Sequence, residues 1–436
     1  MAQLFKSYYL FVFFLFISCG ASAKSLNPKV TATYAILMNA DTGGVLYEKK
    51  GYGPIFPAST TKVATALYAL RCGASLEMDM KGKKHLLGTL CEAKRLQGFD
   101  KYGLHVLEKN GTHMSIQVGE ILPFKDLLYG LMVVSANDAA NVMAEALCGD
   151  VSEFMRGTNQ MLKEIGCENT QFLNPHGLYH EGHISTPYDM ALIMRAGLAD
   201  STFRRLIGTS TYSVKPSNKS PSRLLVTHNR LMKPGKHYYS KLIGGKTGTL
   251  RKQGAGVCLV SAASHKGQEL IAAVFQAKDP KTCYEDTKNL FEAGFNHKKV
   301  KRQILKAGVQ PFQKKFQGGD RLLETWTKEP LDIEVFKDEQ LETRLEIIWE
   351  RERLPIRKGQ CVGAIDVIGP QNTVLKTLPL YARYEVRPAF SHEASQAFGR
   401  VRSFFEAHTN GLGWGATGAI FGIFVLFKRK KKRSNH

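Results

Sequence analysis

The spacing of apolar residues changes repeatedly along this chain, and each change predicts an element. Between 33 and 50, two β-prone runs, Thr-Tyr-Ala-Ile-Leu-Met-Asn and Val-Leu-Tyr-Glu-Lys-Lys, flank Ala40-Asp-Thr-Gly-Gly, which predicts a hairpin. Phe56-Pro57 then opens a mostly apolar helical pattern that runs to Leu70, with Ser59 and Lys62 three apart at its start. Residues 77–111 are polar and Lys-rich and predict loop with a broken strand. Leu127, Leu128, Leu131, Met132, Val142, Met143 and Leu147 fall at helical spacings, so 124–147 predicts helix in one or two pieces. The polar string Ser135-Ala136-Asn137-Asp138 interrupts it. Further helices are predicted over 152–165 and 186–198, the second entered through Thr186-Pro187.

After 242 the texture turns to strand. Leu242-Ile-Gly-Gly-Lys-Thr-Gly-Thr, Gly256-Val-Cys-Leu-Val-Ser-Ala-Ala and Leu270-Ile-Ala-Ala-Val-Phe read as buried strands, and 283–294 as a closing helix. Strands at both ends with helices between predict one α/β domain over 24–300, its sheet joining the early hairpin to the late strands. Over 309–388 short β-prone runs near 331–336, 345–349, 361–368 and 378–386 predict a small all-β domain at 301–388.

The two ends add targeting signals. Residues 1–23 have the form of a secretory leader, with Lys6, an apolar stretch from Tyr8 to Ile17, and Ala21-Ser22-Ala23 as cleavage site. A lipidated Cys19 is the rival, disfavoured by Phe16 three residues before it. Phe390, Ala394, Phe398, Val401 and Phe405 predict an amphipathic stalk helix at 389–408. Seventeen uncharged residues from Gly411 to Phe427 then precede Lys428-Arg429-Lys430-Lys431-Lys432-Arg433. That predicts a membrane anchor at 409–436 with a cytoplasmic tail, by the positive-inside rule. Leader plus anchor place both domains outside the cytoplasm. With 43% apolar and 22% charged residues the chain is globular, and its net charge of +22 leaves nucleic acid, an anionic membrane or an acidic polymer as partners. No zinc-finger or RNA-binding signature accompanies the charge, which argues against nucleic acid. The seven cysteines after the leader show no regular spacing and are read as buried free thiols, with Cys72–Cys91 the pair considered.

Three fragments carry the chemistry: Ser59-Thr-Thr-Lys62, Ser135-Ala-Asn137 and Lys246-Thr247-Gly248. A helix puts residues i and i+3 on one face, so Lys62 can reach the Ser59 hydroxyl and activate it without a histidine. Alone the spacing is unspecific. The three together, in this order, resemble the low-molecular-mass penicillin-binding proteins, the serine D-alanyl-D-alanine carboxypeptidases. Pro57-Ala-Ser-Thr-Thr-Lys, Phe172-Leu-Asn-Pro-His-Gly-Leu and Pro355-Ile-Arg-Lys-Gly-Gln extend the resemblance over nearly the whole chain.

The resemblance implies a penicillin-binding-protein/β-lactamase-like α/β (α+β) catalytic fold with an antiparallel sheet and helical insert, then the small β domain. It implies Ser59 as the nucleophile that forms an acyl-enzyme, Lys62 as base and Ser135 as proton relay. Asn137 would hydrogen-bond the peptide, Lys246, Thr247 and Thr249 would hold the substrate's terminal carboxylate, and Gly248 would belong to the same substrate-binding segment. Backbone N–H groups of Ser59 and Thr249 would form the oxyanion hole. The substrate implied is the peptidoglycan pentapeptide, with β-lactam antibiotics as covalent ligands and no cofactor. A D,D-endopeptidase acting on crosslinks and a non-catalytic peptidoglycan-binding scaffold are the alternatives, the second opposed by the intact Ser59/Lys62 pair. Lys62 serves as base only when neutral, which calls for burial and a nearby cation, Lys246 on this template. Taken singly, Ser135 could instead cap a helix and Thr247-Gly248 form a turn. A class A β-lactamase would share the motifs, but no Glu-x-x-Leu-Asn is present; Glu168 to Asn174 has the wrong spacing. His176, His180 and His183 could form a metal cluster; Gly177 and Gly182 interrupt any helix that would align them, so a surface loop is expected.

Overall fold

The computed structural model describes residues 11–13, 26–79, 88–94, 107–108, 111–250, 256–350 and 353–389. Cys19, most of the leader and of 77–111, and nearly all of the stalk and anchor regions (389–436) lie outside these residues. In chain order, β1 (Phe11–Phe13) is followed by the hairpin β2 (Tyr34–Asn39) and β3 (Val45–Lys49). A 3-10 turn (Ala58–Thr61) leads into α1 (Lys62–Asp79), then come β4 (Leu90–Glu92) and β5 (Ile121–Pro123). The helical insert contains α2 (Phe124–Val133), α3 (Asn137–Cys148), α4 (Val151–Glu164), α5 (Pro187–Leu198) and α6 (Ser201–Gly208). The small hairpin β6 (Thr211–Val214) and β7 (Arg223–Val226) precedes β8 (Leu242–Leu250), β9 (Gly256–His265), β10 (Gln268–Ala277) and α7 (Pro280–Phe295).

The central sheet is antiparallel, in the order β3-β2-β10-β9-β8, so the two ends of this region build one layer. Leu270, Ala272 and Val274 of β10 pack with Leu290 and Phe291 of α7, while Ile271, Ala273 and Phe275 join the core beneath the helical insert. Both faces are covered, which is why these strands read as unbroken apolar runs rather than as alternation. Two caps set helix starts. Thr186 Oγ1 accepts from Asp189 N at 3.0 Å ahead of Pro187, and Asp279 accepts from Thr282 N at 2.8 Å ahead of Pro280. The second cap starts α7 three residues before the predicted 283.

The last described segment is all β: β11 (Lys299–Leu305), β12 (Gly308–Lys314), β13 (Leu323–Thr327), β14 (Leu331–Phe336), β15 (Arg344–Trp349), β16 (Cys361–Ile368) and β17 (Val374–Ala382). β11 pairs with β14, and a six-stranded sheet runs β1-β15-β16-β17-β13-β12, with Ile365 opposite both Ile347 and Leu378. Two buried ionic side chains join it to the α/β region. Glu339 accepts from Asn39 Nδ2, Thr42 Oγ1 and Phe336 N. Arg195 of α5 donates to Ala40 O, Asp41 O, Pro370 O, Gln371 Oε1 and Thr373 Oγ1. Among the described residues no helix is long and apolar enough to cross a membrane.

Candidate active site

Ser59 lies on the 3-10 turn and Lys62 is the first residue of α1, one turn on. Their side chains meet: Lys62 Nζ stands 3.0 Å from Ser59 Oγ. Lys62 is fully buried although it ends in an amine, and two further groups surround its nitrogen. Nζ donates to Asn137 Oδ1 at 2.7 Å and to the main-chain oxygen of His176 at 2.6 Å. Burial first, and the charge of Lys246 second, hold this amine well below the ordinary lysine range against the opposing pull of Asp138. Both causes named from sequence, burial and a nearby cation, act on Lys62, and removal from water is the larger.

Ser135 occupies the break between α2 and α3, in the left-handed region with φ 65°. It does not cap α3, since Ala136 takes the cap position and no side chain bonds there. Instead Ser135 Oγ accepts from Lys246 Nζ at 2.9 Å, and Lys246 also donates to Thr247 O at 2.9 Å. Burial alone lowers the Lys246 amine to about 7. The break is held by backbone bonds from Ala136 N to Gly130 O and from Asn137 N to Thr112 O. Asp138 spends its carboxylate on Met114 N, Ile116 N and Ala139 N.

β8 forms the opposite wall. It pairs with β9 on one side only, and its other edge faces the Ser59 turn. Lys246 is buried, Thr247 half-buried, Gly248 buried and Thr249 exposed. The approach is close: a Cβ at Gly248 would stand 3.1 Å from each of Ala58 Cβ, Pro57 O and Ser59 N. Ser59, Lys62, Ser135, Asn137, Lys246 and Gly248 thus come together where α1, the α2–α3 break and β8 meet, and Thr247 and Thr249 lie on the same strand.

A fourth segment completes it, quoted from sequence but assigned no role there. Asn174 Oδ1 accepts from Gly177 N and Leu178 N at 2.7 and 3.1 Å, and Thr65 Oγ1 donates to Pro175 O at 2.6 Å. This turn aims the His176 carbonyl at Lys62. Gly177 has φ +85°, and a Cβ there would lie 1.9 Å from Ala58 O, so only glycine lets the turn pack behind Ser59. Asn-Pro-His-Gly is a turn signature, the one signal that could have flagged it. The three histidines do not share a centre. His183 Nδ1 accepts from Leu173 N at 3.1 Å, so Nε2 carries the proton and donates to Thr61 Oγ1 at 2.9 Å. Burial lowers this imidazole to about 3. His180 Nδ1 accepts from Gly182 N, and among the described residues no cluster of three metal-ligating side chains occurs.

Residues 21–279 match the family Peptidase S11, described as D-alanyl-D-alanine carboxypeptidase. The chain belongs to that family. It is 30% identical over 364 residues to the D-alanyl-D-alanine carboxypeptidase DacF of Bacillus subtilis, covering 82% of this chain and 86% of that one. It is 27% identical over 343 residues to DacC of Escherichia coli, covering 78% and 80%. Among solved structures, penicillin binding protein 5 of Haemophilus influenzae superposes with a TM-score of 0.58 over 83% of this chain and 99% of its own, at 24% identity, which establishes the shared fold. The chain has the α/β penicillin-binding-protein fold of this carboxypeptidase family, followed by a C-terminal β domain.

Proposed function

We propose that this protein is a serine D-alanyl-D-alanine carboxypeptidase that removes the terminal D-Ala of peptidoglycan pentapeptides through a Ser59 acyl-enzyme, and that β-lactam antibiotics acylate the same serine. The observation that carries the reading is the surroundings of Lys62 Nζ. Two of its three neighbours, Asn137 Oδ1 and His176 O, can only accept hydrogen bonds. A neutral amine gives its two N–H bonds to them, which leaves its lone pair facing the hydroxyl of Ser59, 3.0 Å away. The depressed basicity of Lys62 supplies that neutral form.

The remaining steps follow from the walls. Lys62 takes the Ser59 proton as Oγ attacks the carbonyl of the penultimate D-Ala. Ser135, hydrogen-bonded to Lys246, passes a proton to the departing amine. Protonated Lys246, with Thr247 and Thr249, holds the C-terminal carboxylate, and Asn137 bonds the peptide. The substrate lies along the free edge of β8, as an added strand. The Ser59 and Thr249 backbone N–H groups stabilise the oxyanion. Water releases the shortened peptide. We place the protein at the bacterial cytoplasmic membrane, held by residues 409–436, with the catalytic domain at 24–300 and the β domain at 301–388 on the outer side.

The test is D-alanine release from a pentapeptide, alongside covalent labelling by a fluorescent penicillin. Both are expected for the wild type and neither for Ser59→Ala. Labelling that survives this change refutes the assignment, and cleavage of crosslinked dimers into monomers with no D-alanine release from the pentapeptide would make the protein an endopeptidase. Release from membranes on deletion of 409–436 tests the anchor; retention revives the lipidated Cys19.

A further inference from the structure

The Cys72–Cys91 pair considered from sequence does not meet. The structure places Cys72, in α1, against Cys148, the last residue of α3, and their thiols share a hydrogen bond. Cys91 is buried elsewhere, its Sγ near Thr89 O at 4.0 Å. The meeting follows from helix geometry. Lys62 and Asn137 touch at the starts of α1 and α3. Cys72 lies ten residues beyond Lys62, and Cys148 eleven beyond Asn137. At 1.5 Å per residue both are about 15–16 Å further along, so the helices run side by side in the same direction. The Lys62–Asn137 bond marks one end of the contact and the thiol pair the other.

We propose that Cys72 and Cys148 form a disulfide in the exported protein, a covalent tie between the helix that carries Ser59's base and the helix that follows Ser135. The inference rests on the extracytoplasmic placement argued above, since such bonds persist in oxidising compartments. Both residues are partly exposed, which leaves an external disulfide a route to the pair. The Cys148 thiol donates to the Cys72 sulfur, and the Tyr68 hydroxyl one turn earlier on α1 joins them; together these favour the Cys72 thiolate, lowering its pKa to about 7 against the effect of burial. The exchange balances in the same way whether Cys72 or Cys148 attacks first. In the first case the Cys72 thiolate displaces one thiolate from an external disulfide and forms a mixed disulfide. Cys148, its proton lost to solvent, then attacks the Cys72 sulfur and expels the second thiolate. Two protein thiols are oxidised and one external disulfide is reduced to two thiols.

A bridge between 72 and 148 closes a loop of more than seventy residues that includes Ser135 and Asn137. Closure of a loop that long is expected to raise Tm by roughly 5–10 °C. The experiment uses the full-length chain, exported by a bacterial host, alkylated without reductant, digested and weighed. A peptide joining Cys72 to Cys148 is expected, together with a Tm that drops on reduction in the wild type but is insensitive to reductant in Cys148→Ser. Recovery of Cys72 and Cys148 singly alkylated after incubation with oxidised glutathione, or of Cys72 joined to Cys91, would overturn the proposal. The wild-type peptide map decides even if the variant does not fold. Penicillin labelling of the same sample reports separately on the function, so failure of one reading is not mistaken for failure of the other.

Discussion

Lys246 gives the sharpest test of the two-lysine site. In the free protein its amine titrates near 7, lowered by burial, whereas Lys62 lies well below its ordinary range. The mechanism needs Lys62 neutral and Lys246 charged, so kcat/KM, which reports the free enzyme, should fall as pH rises past about 7. Two bounds fix the size of the fall. From pH 5 to 9 the charged fraction of Lys246 drops by about a hundredfold. A charged hydrogen bond to the substrate carboxylate contributes about 1.5–3 kcal/mol, or roughly ten- to a hundredfold in rate. The expected loss by pH 9 is therefore between about ten- and a hundredfold.

The same step is expected to appear differently in kcat. A bound carboxylate next to Lys246 favours its charged form, so the alkaline limb of kcat should lie about one to two pH units above that of kcat/KM. In Lys246→Arg the guanidinium keeps its charge, and the alkaline limb of kcat/KM should vanish whatever the overall rate. The assay is D-alanine release at subsaturating and saturating pentapeptide from pH 5 to 10. A kcat/KM that is flat from 6 to 9, or an alkaline limb that is unchanged in Lys246→Arg, would refute the assignment of that limb to Lys246.

Three other perturbations address the framework. Gly177→Ala places a Cβ 1.9 Å from Ala58 O at a positive φ; the Ser59 turn must move, and penicillin acylation should slow by at least about a hundredfold, the scale of an ångström-sized misplacement, as read by stopped-flow labelling. His183 is neutral in the fold down to about pH 3, while the unfolded chain protonates near 6.5, so its contribution is fully present above 6.5 and is lost as pH falls toward 3. Between pH 6.5 and 4.5 that is about 2–3 kcal/mol, and urea unfolding of His183→Gln, which keeps a donor and an acceptor but does not titrate there, should show a flatter acid dependence; equal slopes would sink the argument. Arg195→Met removes five hydrogen bonds between α5, the β2–β3 turn and the C-terminal β domain. It should cost about 3–5 kcal/mol and split one calorimetric transition into two; an unchanged melt would show that the clamp does not couple the regions.

Much of the architecture was legible because the driving patterns were local. The β2–β3 hairpin announced itself by its Asp/Gly turn, and α5 by Thr186-Pro187. The split at Ser135 was visible as polar residues inside an apolar run. Other elements left weaker traces. α6 has eight residues, too few for a periodic signal, and β6 and β7 bury only Val214 and Leu225, so their strand pattern is thin. Within the site, side chains could be named from sequence but main-chain partners could not. The His176 carbonyl binds Lys62 as closely as Asn137 does, yet a carbonyl carries no residue-type signature. Cys148 escaped for a different reason: its proximity to Cys72 depends on two helices running parallel, a tertiary fact that cysteine spacing does not encode.

The placement of one carboxylate supports the two-lysine mechanism proposed above over an ion pair. Asn137 and Asp138 are adjacent, and the amide, not the acid, touches Lys62. Had the carboxylate been there, a buried ion pair would have stabilised the ammonium form and removed the base. Asp138 instead directs both oxygens away, Oδ1 to Met114 N and Ala139 N and Oδ2 to Ile116 N. Those bonds fix the segment whose Thr112 carbonyl accepts from Asn137 N, so the acid positions the amide and acts on Lys62 only from a distance. Exchanging the two residues would keep the composition and net charge of the site while inverting its electrostatics. The Ser-x-Asn motif therefore matters as much for the neutrality of its third residue as for the hydroxyl of its first.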